Sequence, residues 1–142
     1  MNGFTLIEII IVMAIVAMIA GVTVPFYIYF QTFSLLESAK SEVTQQVILA
    51  QEKAKSGYQD SSHGVYFSNN QFIVFQGTTY ASRDQAEDVI YSLPANVSFS
   101  ETKEIDFAIK SALPAAPKSI SIIHNALTDI ENITVNAEGL VY

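Results

Sequence analysis

From Ile9 to Leu36 the chain carries no charged side chain, and this run constrains the fold more than any other feature of its 142 residues. Residues 9–30 read IIIVMAIVAMIAGVTVPFYIYF, with Thr23 the only hydroxyl apart from two tyrosines. A hydrocarbon core of about 30 Å is spanned by roughly 20 apolar residues in a helix, and the run meets that length. A cleavable secretory signal has a shorter apolar stretch, roughly 7–15 residues, closed by a small-residue site. No Ala-x-Ala pattern follows here before the polar sequence begins. A buried core helix is the other alternative, but a domain this small could hardly enclose one on every side. Membrane insertion is the expectation, with Phe26, Tyr27, Tyr29 and Phe30 as an interfacial aromatic belt.

Charge divides the chain at the same place. Of 14 acidic and 7 basic residues only Glu8 precedes Glu37, so nearly all of the net charge of -7 belongs to the polar remainder. An acidic surface argues against nucleic acid as a partner, since binding it requires a basic footprint that displaces counterions. The absence of cysteine excludes disulfide staples, thiolate metal sites and a cysteine nucleophile. The polar part must therefore hold itself together by packing.

Glu8 does not suit an ordinary anchor, because it lies within the apolar run that begins at Phe4. A carboxylate near the middle of a bilayer costs a few kcal/mol, less toward the interface, and normally has a partner. An interfacial Glu snorkelling to water is the plain alternative.

The string Gly3-Phe4-Thr5-Leu6-Ile7-Glu8, followed by a long aliphatic run to about Pro25, resembles the N-terminal signature of type IV prepilins and type II secretion pseudopilins. The resemblance implies cleavage between Gly3 and Phe4 by a prepilin peptidase on the cytoplasmic side, with methylation of the new Phe4 amine. A glycine at the cut suits close approach of backbone to a protease. It also implies that Glu8 answers the Phe4 amine of a neighbouring subunit in a filament, where an unpaired carboxylate would be expensive. Gly21 and Pro25 are then the place of a helix bend, against the alternative of a tolerated transmembrane kink. One departure stands out: family leaders usually carry Lys or Arg before the Gly, whereas here the first basic side chain is Lys40. Positive-inside orientation then rests on the Met1 amine, and either a start further upstream or less efficient processing is expected.

Beyond the membrane run, Leu36, Ala39, Val43, Val47, Ala50 and Ala54 recur at three- and four-residue steps, which predicts that the helix continues with one apolar stripe. Lys53 and Lys55 suit its C-terminus, and Gly57 its end. Strands are expected at 64–68 and 71–76 around an Asn69-Asn70 turn, and at 97–100 and 105–110 as a second pair. Further strands are expected at 119–124, 133–136 and 140–142, the last two joined by a turn at 137–139. Residues 78–88 read as irregular, and 114–117 as a loop. The expected fold is α+β, a pilin-like long N-terminal helix, transmembrane in its first half, packed on an antiparallel β-sheet head. The expected division is a leader at 1–3, a transmembrane and polymerisation helix at 4–30, its amphipathic continuation at 31–57, and the head at 58–142. The order of elements, with Leu93-Pro94 before Val97-Ser98-Phe99 and the closing 133–141 stretch, resembles the GspH/FimT-like minor pseudopilins.

No nucleophile elbow, phosphate loop, calcium loop or His-Glu-x-x-His motif is present. His63 is expected in an exposed turn, and His124 has no evident ligand partner. Asp129 and Glu131 are close enough to contact one cation but lack the alternating carboxylate loop, so a solvated loop is expected and no metal or cofactor. Asn96-Val-Ser98 and Asn132-Ile-Thr134 match the short glycosylation triplet, which has little weight in a prokaryotic pilin. The sequence therefore points to a structural subunit of a type IV pilus or type II secretion pseudopilus, a minor one, and not to an enzyme. A membrane-anchored exported binding or adhesion module with a β-rich head is the alternative. The partners implied by the resemblance are other pilin or pseudopilin subunits, the prepilin peptidase, the inner-membrane assembly platform and membrane lipid. The precursor is expected to cross the inner membrane once, its head on the periplasmic or extracellular side, before joining a filament.

Overall fold

Helix α1 runs from Leu6 to Ser56, and its bounds have local causes. The computed structural model that shows it describes residues 5–125 and 130–142. Between Leu6 and Ser56 only Gly21 and Pro25 are poor helix formers, and α1 remains helical through both. It stops where Gly57 turns left-handed at φ 68° and returns its amide to the Ala54 carbonyl at 3.1 Å. The chain divides into two units, Met1–Ser34 and Leu35–Tyr142.

Within the second unit the expected stripe is buried. Leu36, Ala39, Val43, Val47, Ala50 and Ala54 are each 1% exposed or less. They share one core with residues of the head, which has seven strands: β1 (His63–Ser68), β2 (Gln71–Gln76), β3 (Asp84–Ser92), β4 (Val97–Phe99), β5 (Lys103–Phe107), β6 (Lys118–His124) and β7 (Ile130–Val135). Alternation places Val65 and Phe67 of β1, Phe72 and Val74 of β2, and Ile105 and Phe107 of β5 in the core. Ile120 and Ile122 of β6 and Ile133 and Val135 of β7 do the same from a second sheet. The two sheets meet through aromatic edges, with the Phe67 and Phe99 rings 5.0 Å apart. Polar ties fix the helix to the strands: Lys40 Nζ lies 2.8 Å from Glu131 Oε2, and the Lys110 amide donates to the Ala54 carbonyl at 2.8 Å.

The α+β layout is as expected, but the head differs in four respects. It holds two antiparallel sheets, ordered β3-β2-β1-β5 and β4-β6-β7. The expected pairing of 97–100 with 105–110 does not form: β4 pairs with β6, and β5 with β1. Each thereby buries its own apolar face on a separate sheet, which a local hairpin would not have achieved. Residues 84–88, expected to be irregular, open the nine-residue strand β3. Their polarity reflects an edge position, nearly all exposed, with a bulge where Gln76 faces Asp84 while Val74 faces Val89. Finally, 140–142 adds only a bridge, Val135 to Val141, with paired backbone bonds between Thr134 and Tyr142.

The loop before β3 is held by a small aromatic stack. Tyr80 lies parallel to Tyr66 at 3.7 Å, and Arg83 sits 3.8 Å over the Tyr80 ring. The Arg83 Nε donates to both Asp88 carboxylate oxygens, at 2.8 and 3.1 Å, which raises the guanidinium pKa above its ordinary value.

Candidate functional site

The N-terminal part of α1 presents apolar surface on every side. Every Leu, Ile, Val and Met from Leu6 to Val22 is at least 50% exposed, and so are Phe26, Tyr27, Ile28, Tyr29 and Phe30. Burying one such side chain is worth about 1.5–3 kcal/mol. About a dozen left in water between Leu6 and Val22 forgo on the order of 20–30 kcal/mol, more than the whole folding free energy of an ordinary domain. A surface of that kind needs lipid or other helices around it. By length and composition α1 is suited to cross a membrane.

Two threonine hydroxyls of this helix find partners within it. Thr23 Oγ1 donates to the Ile19 carbonyl at 2.7 Å, and Thr32 Oγ1 to the Ile28 carbonyl at 2.9 Å. Such back-bonding removes the need for water, as an apolar surrounding requires. Gly21 is four residues before Pro25, so its carbonyl is the one that a proline nitrogen leaves without the usual helical donor. A methyl group at Gly21 would meet nothing within 4 Å, so packing within the chain does not demand the glycine.

Glu8 lies in the first turn, where the partial positive charge of the helix N-terminus favours a carboxylate by about 0.3–1 kcal/mol. Its amide is held by Thr5, 3.2 Å from the carbonyl and 3.4 Å from Oγ1. Thr5 is thus the N-cap and Glu8 the third helical residue, the Thr-x-x-Glu spacing of a capping box. The spacing is legible in the sequence itself. It gives Thr5 a part in starting the helix two residues after Gly3. Gly3 and Phe4 themselves lie outside the described residues, as does Asp129.

Other candidate residues resolve differently. Glu131 is taken up by Lys40, and among the described residues no group of three or more metal-ligating side chains is placed to hold an ion. His63 is not in an exposed turn: it is 3% exposed, the first residue of β1, on the core-facing row with Val65 and Phe67. Burial lowers its pKa; a hydrogen bond with the Ser61 backbone acts the other way, and the nearby Lys53 charge lowers it further. His124 is likewise buried, at the end of β6. Ser98 of the first glycosylation triplet is buried and donates to Asn125 Oδ1 at 3.0 Å. A cleft of about 330 Å³ along α1 is edged by Ile48, Glu52, Lys55, Leu113, Glu138 and Leu140, and by Ser111, whose hydroxyl donates to the Ala108 carbonyl at 3.4 Å.

Residues 1–24 match the family described as the prokaryotic N-terminal methylation motif, which is the type IV pilin and pseudopilin signature. No curated protein and no solved structure matches the chain.

Proposed function

We propose that a chain bearing this signature on a helix apolar all round is the precursor of a structural subunit of a type IV pilus or type II secretion pseudopilus. The observation that carries the reading is the coincidence of the methylation motif with a helix whose exposed apolar surface needs covering first by lipid and then by other helices. Cleavage between Gly3 and Phe4 would leave the N-methylated Phe4 amine four residues from Glu8. In a bundle of such helices the Glu8 carboxylate pairs with the Phe4 amine of a neighbour, rewarding one register over others. Gly21 and Pro25 supply the bend or local melting that accompanies transfer from bilayer to filament. Residues 4–30 are the membrane and polymerisation segment, 31–57 the continuation, and 58–142 the head, on the periplasmic or extracellular side. The order of one long helix and then antiparallel strands supports a minor subunit, of the GspH/FimT-like kind.

Two measurements test this. Intact mass of the membrane-extracted protein should show loss of Met1–Gly3 and gain of one methyl group; a chain still starting at unmodified Met1 removes peptidase handling. Glu8→Leu and Glu8→Ala should reach the membrane in normal amount and be missing from sheared filaments. Thr5→Ala, which removes the capping hydroxyl and its γ-methyl but leaves Glu8 in place, should assemble. Normal incorporation of both Glu8 variants would end the pairing argument, and equal failure of Thr5→Ala would transfer the role to helix capping.

A further inference from the structure

Strand β3 closes one side of its sheet, and among the described residues no strand pairs with its outer edge. An open edge is a template for another strand, which proteins block with charges and bulges. The last strand of the other sheet, β7, is covered instead by residues 141–142, through paired bonds between Thr134 and Tyr142. On β3 the blocking devices occupy only the first half, where Asp84 and Glu87 are exposed and the bulge breaks the register. From Val89 to Ser92 the ladder with β2 is regular and uncharged, and Val89 and Ile90 are 43% and 61% exposed. Asp88, between the two halves, has its charge answered within the chain, since Arg83 Nε donates to both of its carboxylate oxygens.

The register fixes which backbone groups face outward. The two-residue turn at Asn69-Asn70 makes Ser68 and Gln71 a hydrogen-bonded pair, so Asn70, Phe72 and Val74 direct their backbone groups at β3. The Leu93 amide accordingly donates to the Asn70 carbonyl at 2.8 Å. Alternation commits Val89 and Tyr91 to β2 in the same way and turns the N–H and C=O of Ile90 and Ser92 out of the sheet. The side chains alternate too: Val89 and Tyr91 lie on the core face beside Val74 and Phe72, and Ile90 beside Ile73 on the other.

This edge is complementary to itself. We propose that two copies of the chain join by antiparallel pairing of β3 with β3, about a two-fold axis at Ile90. In that register Ile90 faces Ile90 and exchanges both backbone bonds, Val89 faces Tyr91, and Asp88 faces Ser92. Apolar thus meets apolar, and the carboxylate meets a hydroxyl. The neighbouring registers are worse. An axis at Asp88 opposes two carboxylates, and one at Val89 sets Asp88 against Ile90 and Glu87 against Tyr91. An axis at Tyr91 brings Asp88 to Pro94, which has no N–H to give. Five residues a side is little against the roughly 20–30 of a standard interface, so the pair is weak in dilute solution. Anchoring two copies in one bilayer raises their effective concentration, much as a tether does. The pair needs only this shared anchoring, not polymerisation, and being closed it uses up both edges and cannot propagate.

Cross-linking of the full chain in phosphatidylcholine vesicles provides the test. The chain has no cysteine, so a single introduced one reports only contacts between copies. In a hydrogen-bonded antiparallel pair the Cα atoms lie about 5.5 Å apart, within the span of a disulfide. Under mild oxidation Ile90→Cys should dimerise at least about tenfold faster than Val89→Cys, whose two copies lie on a diagonal beyond disulfide reach. Asp88→Cys and Ser92→Cys should each stay monomeric alone and cross-link when mixed. Adding Ile90→Lys to both members of that mixture should suppress the cross-link. Ile48→Cys, exposed on α1, sets the background rate of collision. A rate for Ile90→Cys no greater than that of Val89→Cys or Ile48→Cys overturns the proposal. So does a cross-link between the position 88 and 92 variants that is unchanged by Ile90→Lys. A chain that stays monomeric throughout also overturns it, and leaves the edge to a strand of another protein.

Discussion

Gln51 joins α1 to two separate loops through a single amide nitrogen. Its Nε2 donates to the Gly139 carbonyl at 2.7 Å and to the Ala112 carbonyl at 3.2 Å. At about 0.5–1.5 kcal/mol net per bond, Gln51→Ala should cost about 1–3 kcal/mol. Gly139 sits at φ 78°, where an alanine costs roughly 1–2 kcal/mol in the backbone alone. Its new Cβ would also fall on the Gln51 amide and 3.1 Å from the Ala112 carbonyl oxygen. Gly139→Ala therefore displaces Gln51 and loses the same bonds, a total of about 2–5 kcal/mol. Those bonds can be lost only once. The double variant should be less destabilised than the sum of the single ones by about 1–3 kcal/mol, the energy of the shared bonds. The assay is thermal unfolding of the full chain in micelles, followed by circular dichroism in the β region. A loss of 1 kcal/mol is worth roughly 4 °C in a domain of about a hundred residues, so Gln51→Ala should melt about 4–12 °C lower. Additivity within about 0.5 kcal/mol, or a neutral Gly139→Ala, would refute the claim that one amide couples both loops to the helix.

Phe67, fully buried and edge-on to Phe99, is where the two sheets meet, so Phe67→Ala should cost about 3–5 kcal/mol and visibly reduce folded protein on the same melting assay. Arg83→Ala removes both bonds to Asp88 and the cover over Tyr80, so limited proteolysis should cut within 77–83 sooner than in the wild type while the melting temperature changes little. Because burial depresses the His63 pKa in the folded chain, the unfolded chain takes up that proton first as pH falls. This stabilising contribution is thus complete above about pH 6.5 and is lost below it. Melts at pH 7.5 and 5.5 should show a smaller drop for His63→Gln than for the wild type, and equal drops would remove His63 as a source.

Much of α1 could be read from periodicity because its determinants are local. Unbroken apolarity from Ile9 announces the membrane run, three- and four-residue spacing from Leu36 to Ala54 announces the buried stripe, and Gly57 ends the helix where expected. The Asn69-Asn70 turn was equally plain, with Asn69 at φ 44° closing β1 onto β2. The Thr5-x-x-Glu8 cap is equally local, four consecutive residues that set the first turn. His63 differs: a lone polar residue before a strand has the local pattern of a turn. Only its register against Gln76 and Phe107 shows that it occupies a core position.

What the sequence determined alone is a helix that cannot remain in water and the N-terminal methylation motif that opens it, since both depend on residues adjacent along the chain. Strand pairing required the folded head. β4 and β5 are neighbours in sequence yet join different sheets, and β3 is a strand because β2 offers it an edge, not because its own residues alternate. Hydrogen-bonding partners of this kind are chosen by which arrangement buries the most apolar surface around the α1 stripe. That quantity belongs to the assembled core and to no single segment.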